Sequence, residues 1–117
     1  MKENKVLELA KDFAVEIITL SKTNKFPSVI SNQILRSATS IGANIHEANY
    51  AHGKNDFVAK LKISLKECFE TEYWLELLSR TKEIDEITYK DLRNKCGSIR
   101  RILISSINTA RGGADGK

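Results

Sequence analysis

The sequence contains little that interrupts helices or spans a membrane. Among its 117 residues are one proline and six glycines, so little of the chain is available for loops. β-Branched residues never alternate with polar residues for long, which argues against strands. No run of about 18 uncharged apolar residues occurs, and the first residues mix charged with apolar side chains, unlike a signal peptide or a membrane anchor. We therefore predict an all-α protein without a membrane partner.

Reactive side chains are also scarce. The two cysteines, Cys68 and Cys96, lack CxxC spacing and lie on apolar helical stripes, so we expect buried free thiols in a reducing, cytoplasmic location. Neither His46 nor His52 has a glutamate three residues before it, as the di-iron sites of helical bundles require. No glycine-rich phosphate loop occurs. We therefore predict a non-enzymatic protein without catalytic residues, a metal or a cofactor.

Positive charge is modest and unevenly distributed. Lysine and arginine total 19 against 15 acidic residues, a formal net charge of +4. Residues 70–86 are mainly acidic, whereas cations dominate beyond residue 90. Such a balance is compatible with an anionic partner, although a solvated helix face explains it equally well. The candidate nucleic-acid-binding residues are Lys60, Lys62, Lys66, Arg93, Arg100 and Arg101.

Residues 29–51 form the segment around which we expect the chain to fold. Apolar residues recur there at steps of three and four, which is typical of a packed helix face. They are Ile30, Ile34, Ala38, Ile41, Ile45 and Ala48. Only Arg36 and Glu47 are charged, and small residues occupy most other positions. We therefore predict that this helix is central rather than superficial.

A polar stripe runs beside that apolar face. Buried polar atoms without partners cost roughly 1–3 kcal/mol each, so we expect partners in the third helix. The predicted network contains Ser40, Asn44, Glu47, Glu67, Glu70 and Thr71. It is either a structural network that keeps helices or subunits in register, or a ligand or partner site. Glu72 lies on the apolar seam of the third helix, where it either reaches an edge or pairs across a helix interface.

Apolar periodicity predicts four helices in one domain over residues 1–111. The predicted helices cover 3–22, 29–51, the segment from an Asn55 N-cap to Arg80, and the segment from a turn at 81–88 to about Ala110. Their short connections indicate an antiparallel up-down-up-down four-helix bundle. In the first helix, Val15 and Ile18 widen the apolar seam, as expected for contact with two neighbours. Residues 112–117 are predicted to be a disordered tail.

Several residues are suited to the helix ends. Ser28 or Ser31 is expected to cap the second helix at its start, and Gly53 to take the left-handed conformation after its end. Asp85 or Thr88 is expected to cap the fourth helix.

Two segments make the sequence similar to a known family. They are SIGANIHEA (residues 40–48), preceded by QILRSATS, and SLKECFETEYWLELL (residues 64–78), preceded by DFVAKLKIS. Together they closely resemble the four-helix-bundle family named for 23S rRNA intervening sequences, also called S23-like. That family is related to the accessory variability determinant of diversity-generating retroelements. The six residues of the predicted polar network match its second-helix and third-helix patterns, whereas the first and last helices match only in pattern.

The resemblance implies an antiparallel bundle that assembles as a ring-like homopentamer with a basic surface. It also implies that relatives in retroelements bind nucleic acid and a reverse transcriptase. Our leading hypothesis is a homo-oligomeric bundle that binds structured RNA or other nucleic acid through its basic faces. The rival hypothesis is a protein-interaction scaffold that uses apolar helix faces for self-assembly and for a protein partner. Clustering of the six candidate cations on one rim of the oligomer favours the first hypothesis, and scattering favours the second.

Overall fold

The computed structural model describes residues 4–112, and these form four helices. The helices are α1 (Asn4–Thr23), α2 (Ser28–Ala48), α3 (Lys54–Arg80) and α4 (Glu86–Ala110). No strand is present in this range, so the predicted all-α fold is confirmed. No helix among the described residues is long and apolar enough to cross a membrane. The predicted disordered tail, residues 112–117, lies outside the described residues apart from Gly112.

Each helix packs against two others. The contacting pairs are α1 with α2, α2 with α3, α3 with α4, and α4 with α1. Between α2 and α3, Ser37 meets Thr71 and Ile41 meets Ser64, so residue numbers rise along one helix as they fall along the other. These two helices are therefore antiparallel, as short connections between neighbouring helices require. The predicted four-helix bundle is confirmed.

The core lies along the axis of the bundle, where all four helices contribute apolar side chains. Its large members recur every three or four residues in each helix, and they are almost completely buried. They include Phe13, Ile17, Ile34, Ile41, Ile45, Leu61, Leu75, Leu78, Ile99 and Leu103. Cys68 and Cys96 are also buried in this core, as predicted.

The connection between α2 and α3 differs from the prediction. α2 ends at Ala48 rather than near Ala51, because the Asn49 N–H donates to the carbonyls of both Ile45 and His46 and so tightens the last turn. Gly53 does not take the left-handed conformation, since its φ of 168° is extended.

Gly53 instead precedes α3, and its carbonyl accepts a hydrogen bond from the Phe57 N–H at 2.9 Å. The helix therefore begins at Lys54, before the predicted cap Asn55.

The starts of α2 and α4 show one wrong and one confirmed prediction. Neither Ser28 nor Ser31 caps α2: Pro27 precedes the helix, and its φ of −52° is already close to the helical value. Asp85 does cap α4, because its Oδ1 accepts a hydrogen bond from the Thr88 N–H at 2.7 Å. This hydrogen bond to the charged form holds the pKa of Asp85 below its usual value.

The prediction that α2 is central is wrong for this chain. α2 has no contact with α4, and one side of it is exposed at Asn32, Thr39 and Ala43. α1 does contact two neighbours, α2 and α4, as predicted, but Val15 and Ile18 are exposed rather than buried in those contacts. In a ring of four helices each helix has only two neighbours, so the low charge of α2 is not explained by burial within one chain.

Candidate nucleic-acid interface

The buried polar contacts between α2 and α3 differ from the predicted network. The Thr71 hydroxyl lies 2.8 Å from the Ser37 hydroxyl and 2.8 Å from the Glu67 backbone oxygen. The Ser64 hydroxyl donates to the Ile41 backbone carbonyl at 2.8 Å. Sequence reasoning therefore placed Thr71 correctly but missed Ser37 and Ser64. Both serines lie three or four residues from buried apolar residues of their own helices and are buried themselves. This spacing in the sequence could have identified them.

The other α2 members of the predicted network have different partners. Ser40 donates to the Arg36 carbonyl at 2.7 Å, and Asn44 donates to the Ser40 carbonyl at 2.9 Å, both within α2. Glu47 forms an ion pair with Lys60 at 3.0 Å. The expected partner in the third helix is therefore present for Glu47, although it is Lys60 rather than Glu67, Glu70 or Thr71, and it is absent for Asn44. Short polar side chains in a helix reach the carbonyl one turn earlier more easily than a neighbouring helix.

Arg36 holds the carboxylates of α3 in place of Asn44. Its guanidinium pairs with Glu70 and lies 3.6 Å from Glu67. Trp74 Nε1 also donates to Glu70, at 3.0 Å. The hydrogen bonds from Trp74 and Arg36 hold the pKa of Glu70 below its usual value, with a smaller contribution from the nearby Lys66. One oxygen of Glu67 is buried without a hydrogen-bond partner among the described residues.

Two of the six candidate cations are engaged in ion pairs between helices. Lys60 turns towards α2, where Glu47 raises its pKa. Arg100 Nε donates to Glu72 Oε2 at 2.8 Å, and these side chains are only 27% and 20% exposed. This hydrogen bond raises the pKa of Arg100. Of the two alternatives stated for Glu72, the structure shows pairing across a helix interface. The Arg100 guanidinium also lies 5.6 Å from the centre of the Phe69 ring.

The remaining four candidates are exposed and lie on α3 and α4. Lys62 and Lys66 are one turn apart on the outer side of α3, and Arg93 and Arg101 are exposed on α4. None of the four forms an ion pair within residues 4–112. We call this surface the α3–α4 face, and it consists of Lys62, Lys66, Phe69, Tyr73, Arg93, Arg100 and Arg101.

Two contacts join the halves of the α3–α4 face. Arg100 reaches from α4 to Glu72 and Phe69 of α3, and Arg93 lies two turns before it on the same side of α4. Arg100 and Arg101 converge over Gly97, where an added Cβ would lie 3.3 Å from a nitrogen of each guanidinium. The face is therefore continuous across both helices, and Lys60 is excluded from it.

A model of the 23S rRNA-intervening sequence proteins matches residues 2–105. The chain belongs to this family. A crystal structure of a protein of unknown function from the S23 ribosomal protein family of Bacteroides thetaiotaomicron is 47% identical, with a TM-score of 0.83. That match covers 87% of this chain and 97% of the other. No curated protein matches the sequence. The resemblance stated from the sequence is therefore confirmed.

The described residues were expected to include neither a metal site nor a reactive thiol, and their side-chain contacts bear on both. Within residues 4–112, no group of three or more histidine, cysteine or acidic side chains is arranged to hold a metal. Cys96 Sγ lies 3.5 Å from the Cys68 carbonyl. Contact with Cys68 and burial hold the pKa of Cys96 above its usual value, so the reactive thiolate is disfavoured.

Proposed function

We propose that this protein is a non-enzymatic, homo-oligomeric helical bundle that binds structured RNA or other nucleic acid through the α3–α4 face. One observation carries the proposal: Lys62, Lys66, Arg93 and Arg101 are exposed on adjacent helices and lack ion-pair partners among the described residues. Cations without carboxylate partners are available to phosphates, and such contacts supply most of the affinity of nucleic-acid-binding proteins.

The acidic residues of the α3 C-terminal half oppose this binding less than the sequence suggests. Glu70 pairs with Arg36, Glu72 with Arg100 and Glu76 with Arg80. A paired carboxylate repels phosphate less than an isolated one, because the neighbouring cation offsets its charge. Each of these three carboxylates therefore has a cation beside it that reduces its repulsion of a bound phosphate.

Membership of the family supports the same function. The description of the family refers to the intervening sequences of 23S rRNA, and the similar crystal structure is assigned to a ribosomal protein family. The resemblance implies a homopentamer, and a ring of subunits presents several copies of the α3–α4 face to one nucleic acid. The exposed side of α2 carries the uncharged residues Asn32, Thr39 and Ala43 and one cation, Arg36, and such low charge supports self-association.

The experiment is a fluorescence-anisotropy titration of a labelled RNA hairpin, with a matched DNA duplex, at low and near-physiological salt. We expect binding that weakens by about 0.9 log units per phosphate contact for each tenfold rise in salt. The double variant Lys62→Glu/Arg101→Glu should bind more weakly. Its matched control is Lys22→Glu/Lys25→Glu, which makes the same charge change at exposed positions outside the face. Equal losses in both variants, or no binding at low salt, would overturn the proposal.

A second function, a protein-interaction scaffold, is favoured by one observation. On α1, the apolar residues Val15 and Ile18 are exposed, and on α2 the uncharged residues Asn32, Thr39 and Ala43 are exposed. Exposed apolar surface of this kind marks protein contacts. Absence of nucleic-acid binding, together with a change of oligomer mass in Val15→Glu, would establish self-assembly without the nucleic-acid function.

A further inference from the structure

Two exposed aromatic rings lie in line with the cations of α3. Lys62, Lys66, Phe69 and Tyr73 follow one another at steps of four, three and four residues, so they share one side of the helix. Phe69 is 52% exposed and Tyr73 is 55% exposed. Aromatic side chains in a core bury large apolar areas, whereas about half of each of these two side chains is exposed. Their place among unpaired cations is the pattern that binds unpaired bases.

We infer that the α3–α4 face binds single-stranded segments of nucleic acid by stacking bases on Phe69 and Tyr73, with Lys62, Lys66 and Arg101 contacting the phosphates. This inference rests on the proposed function and names its target. Loops and unpaired ends present the flat faces of their bases, whereas a duplex encloses those faces between neighbouring base pairs. The rings therefore discriminate between the two forms, and the cations do not.

Both rings are held in position by side chains that are themselves fixed. The Arg100 guanidinium lies 5.6 Å from the Phe69 ring centre and is bonded to Glu72 at 2.8 Å. Tyr73 meets Trp74 edge to face, with ring centres 4.9 Å apart. The indole N–H of Trp74 is bonded in turn to a carboxylate of α3, at 3.0 Å. Rings that are already ordered lose less conformational freedom when a base stacks on them, which favours binding.

The spacing of the rings is suited to two bases of one strand. Residues four apart in an α-helix are separated by about 6 Å along its axis, because each residue rises about 1.5 Å. Lys62 and Lys66 continue the same line, and Arg101 lies beside it on α4. A strand that follows α3 therefore meets cations for its phosphates at one end and rings for its bases at the other.

The same rings would also suit a protein contact, and charge decides between the two partners. The buried centres of protein interfaces are depleted of lysine, because a desolvated ammonium group without a partner is unfavourable. Lys62 and Lys66 adjoin the rings without forming an ion pair in the described part of the chain. An anionic partner with aromatic groups satisfies both features, and single-stranded nucleic acid is such a partner.

The test compares one labelled RNA strand of mixed sequence with the same strand annealed into a full duplex, both by anisotropy at low salt. In the full-length variant Phe69→Leu/Tyr73→Leu, we expect single-strand affinity to fall by about 30-fold or more, and duplex affinity to change less than about 2-fold. Tyr73→Phe keeps the ring and should bind as the wild type does. The control Ile87→Ala removes an exposed apolar side chain at the start of α4 and should alter neither affinity.

The outcomes separate this inference from the proposed function. Stacking would be overturned if the double leucine variant bound both the single strand and the duplex with the affinity of the wild type. The proposed function would still stand if Lys62→Glu/Arg101→Glu weakened binding. No wild-type binding to either form would overturn both. Light scattering completes the test, because a change of oligomer mass in the double leucine variant would make the rings a subunit contact and overturn the inference.

Discussion

The two sides of α3 use charged residues in opposite ways. Towards α2, Glu70 pairs with Arg36, and Lys60 pairs with Glu47. Towards the outside and α4, Lys62 keeps its charge unpaired among the described residues. The first side fixes the register of two helices, and the second remains available to a ligand. Net charge therefore describes this protein poorly, because the proposed function depends on which cations are unpaired.

The two sides also differ in what lies beneath the charges. Behind the ion pairs with α2, Ser37 and Thr71 form a fully buried hydroxyl contact at 2.8 Å. At the α3–α4 face, Gly97 is covered by the guanidinium groups of Arg100 and Arg101. The α2–α3 side is thus sealed by packing, whereas Gly97 is covered by the Arg100 side chain, which Glu72 fixes, and by the exposed Arg101 side chain, which can rearrange.

The largest effect is expected where the α2–α3 side is sealed. In Ser37→Leu, the added atoms have no space beside Thr71, and the hydroxyl contact is lost. Overpacking of this kind costs roughly 1–3 kcal/mol, and the lost hydrogen bond adds about 0.5–1.5 kcal/mol. Urea denaturation monitored by circular dichroism should therefore show a lower free energy of unfolding. The matched control is Thr39→Leu on the exposed side of α2, whose hydroxyl bonds only to carbonyls of its own helix. Equal stability of the two variants would contradict the sealed contact.

A smaller and more selective effect is expected from two neighbouring arginines. Arg100→Leu leaves the Glu72 carboxylate partly buried without its partner, which costs about 1–3 kcal/mol of stability. Arg101→Leu should change the free energy of unfolding by less than about 0.5 kcal/mol, since Arg101 is exposed and its one side-chain hydrogen bond within residues 4–112 is to Ser98. It should nevertheless weaken nucleic-acid binding. Urea denaturation and anisotropy on the same preparations test both statements, and equal destabilisation by the two substitutions would remove the distinction between paired and unpaired cations.

Sequence periodicity predicted the fold because burial of apolar residues at steps of three and four decides which side of a helix faces the core. The same reasoning correctly placed Asp85 at the start of α4, where one local hydrogen bond decides the outcome. It failed for Asn44, because the choice between a backbone carbonyl of the same helix and a side chain of a neighbour depends on distances of a few ångströms. Local patterns therefore predict elements, whereas polar partners require the packed structure.

The candidate site was predicted in part for the same reason. Lysine and arginine residues are visible in the sequence, but nothing in their spacing shows that Glu47 and Glu72 pair with Lys60 and Arg100. Those partners are 13 and 28 residues away along the chain. The exposure of Phe69 was equally hidden, because an aromatic residue beside an apolar stripe is expected to contribute to packing.

The smallest effect concerns protonation on the α2–α3 side. Trp74 and Arg36 hold the pKa of Glu70 below its usual value, so folding favours the charged carboxylate. The stabilisation is therefore present above the unfolded pKa of about 4.3 and is lost as the pH falls through the lower folded value. Trp74→Phe removes the indole donor at 3.0 Å and should raise the pKa of Glu70, which carbon-13 NMR titration of the carboxyl group measures.

In Trp74→Phe, Arg36 still pairs with Glu70. The pKa of Glu70 should therefore rise only part of the way to its usual value. Because Trp74 also contacts the Tyr73 ring, the same variant should weaken single-strand binding slightly while leaving duplex binding unchanged. An unchanged Glu70 titration would show that Arg36 alone fixes the carboxylate. The α2–α3 side would then be held by its ion pair, independently of the aromatic residues that border the α3–α4 face.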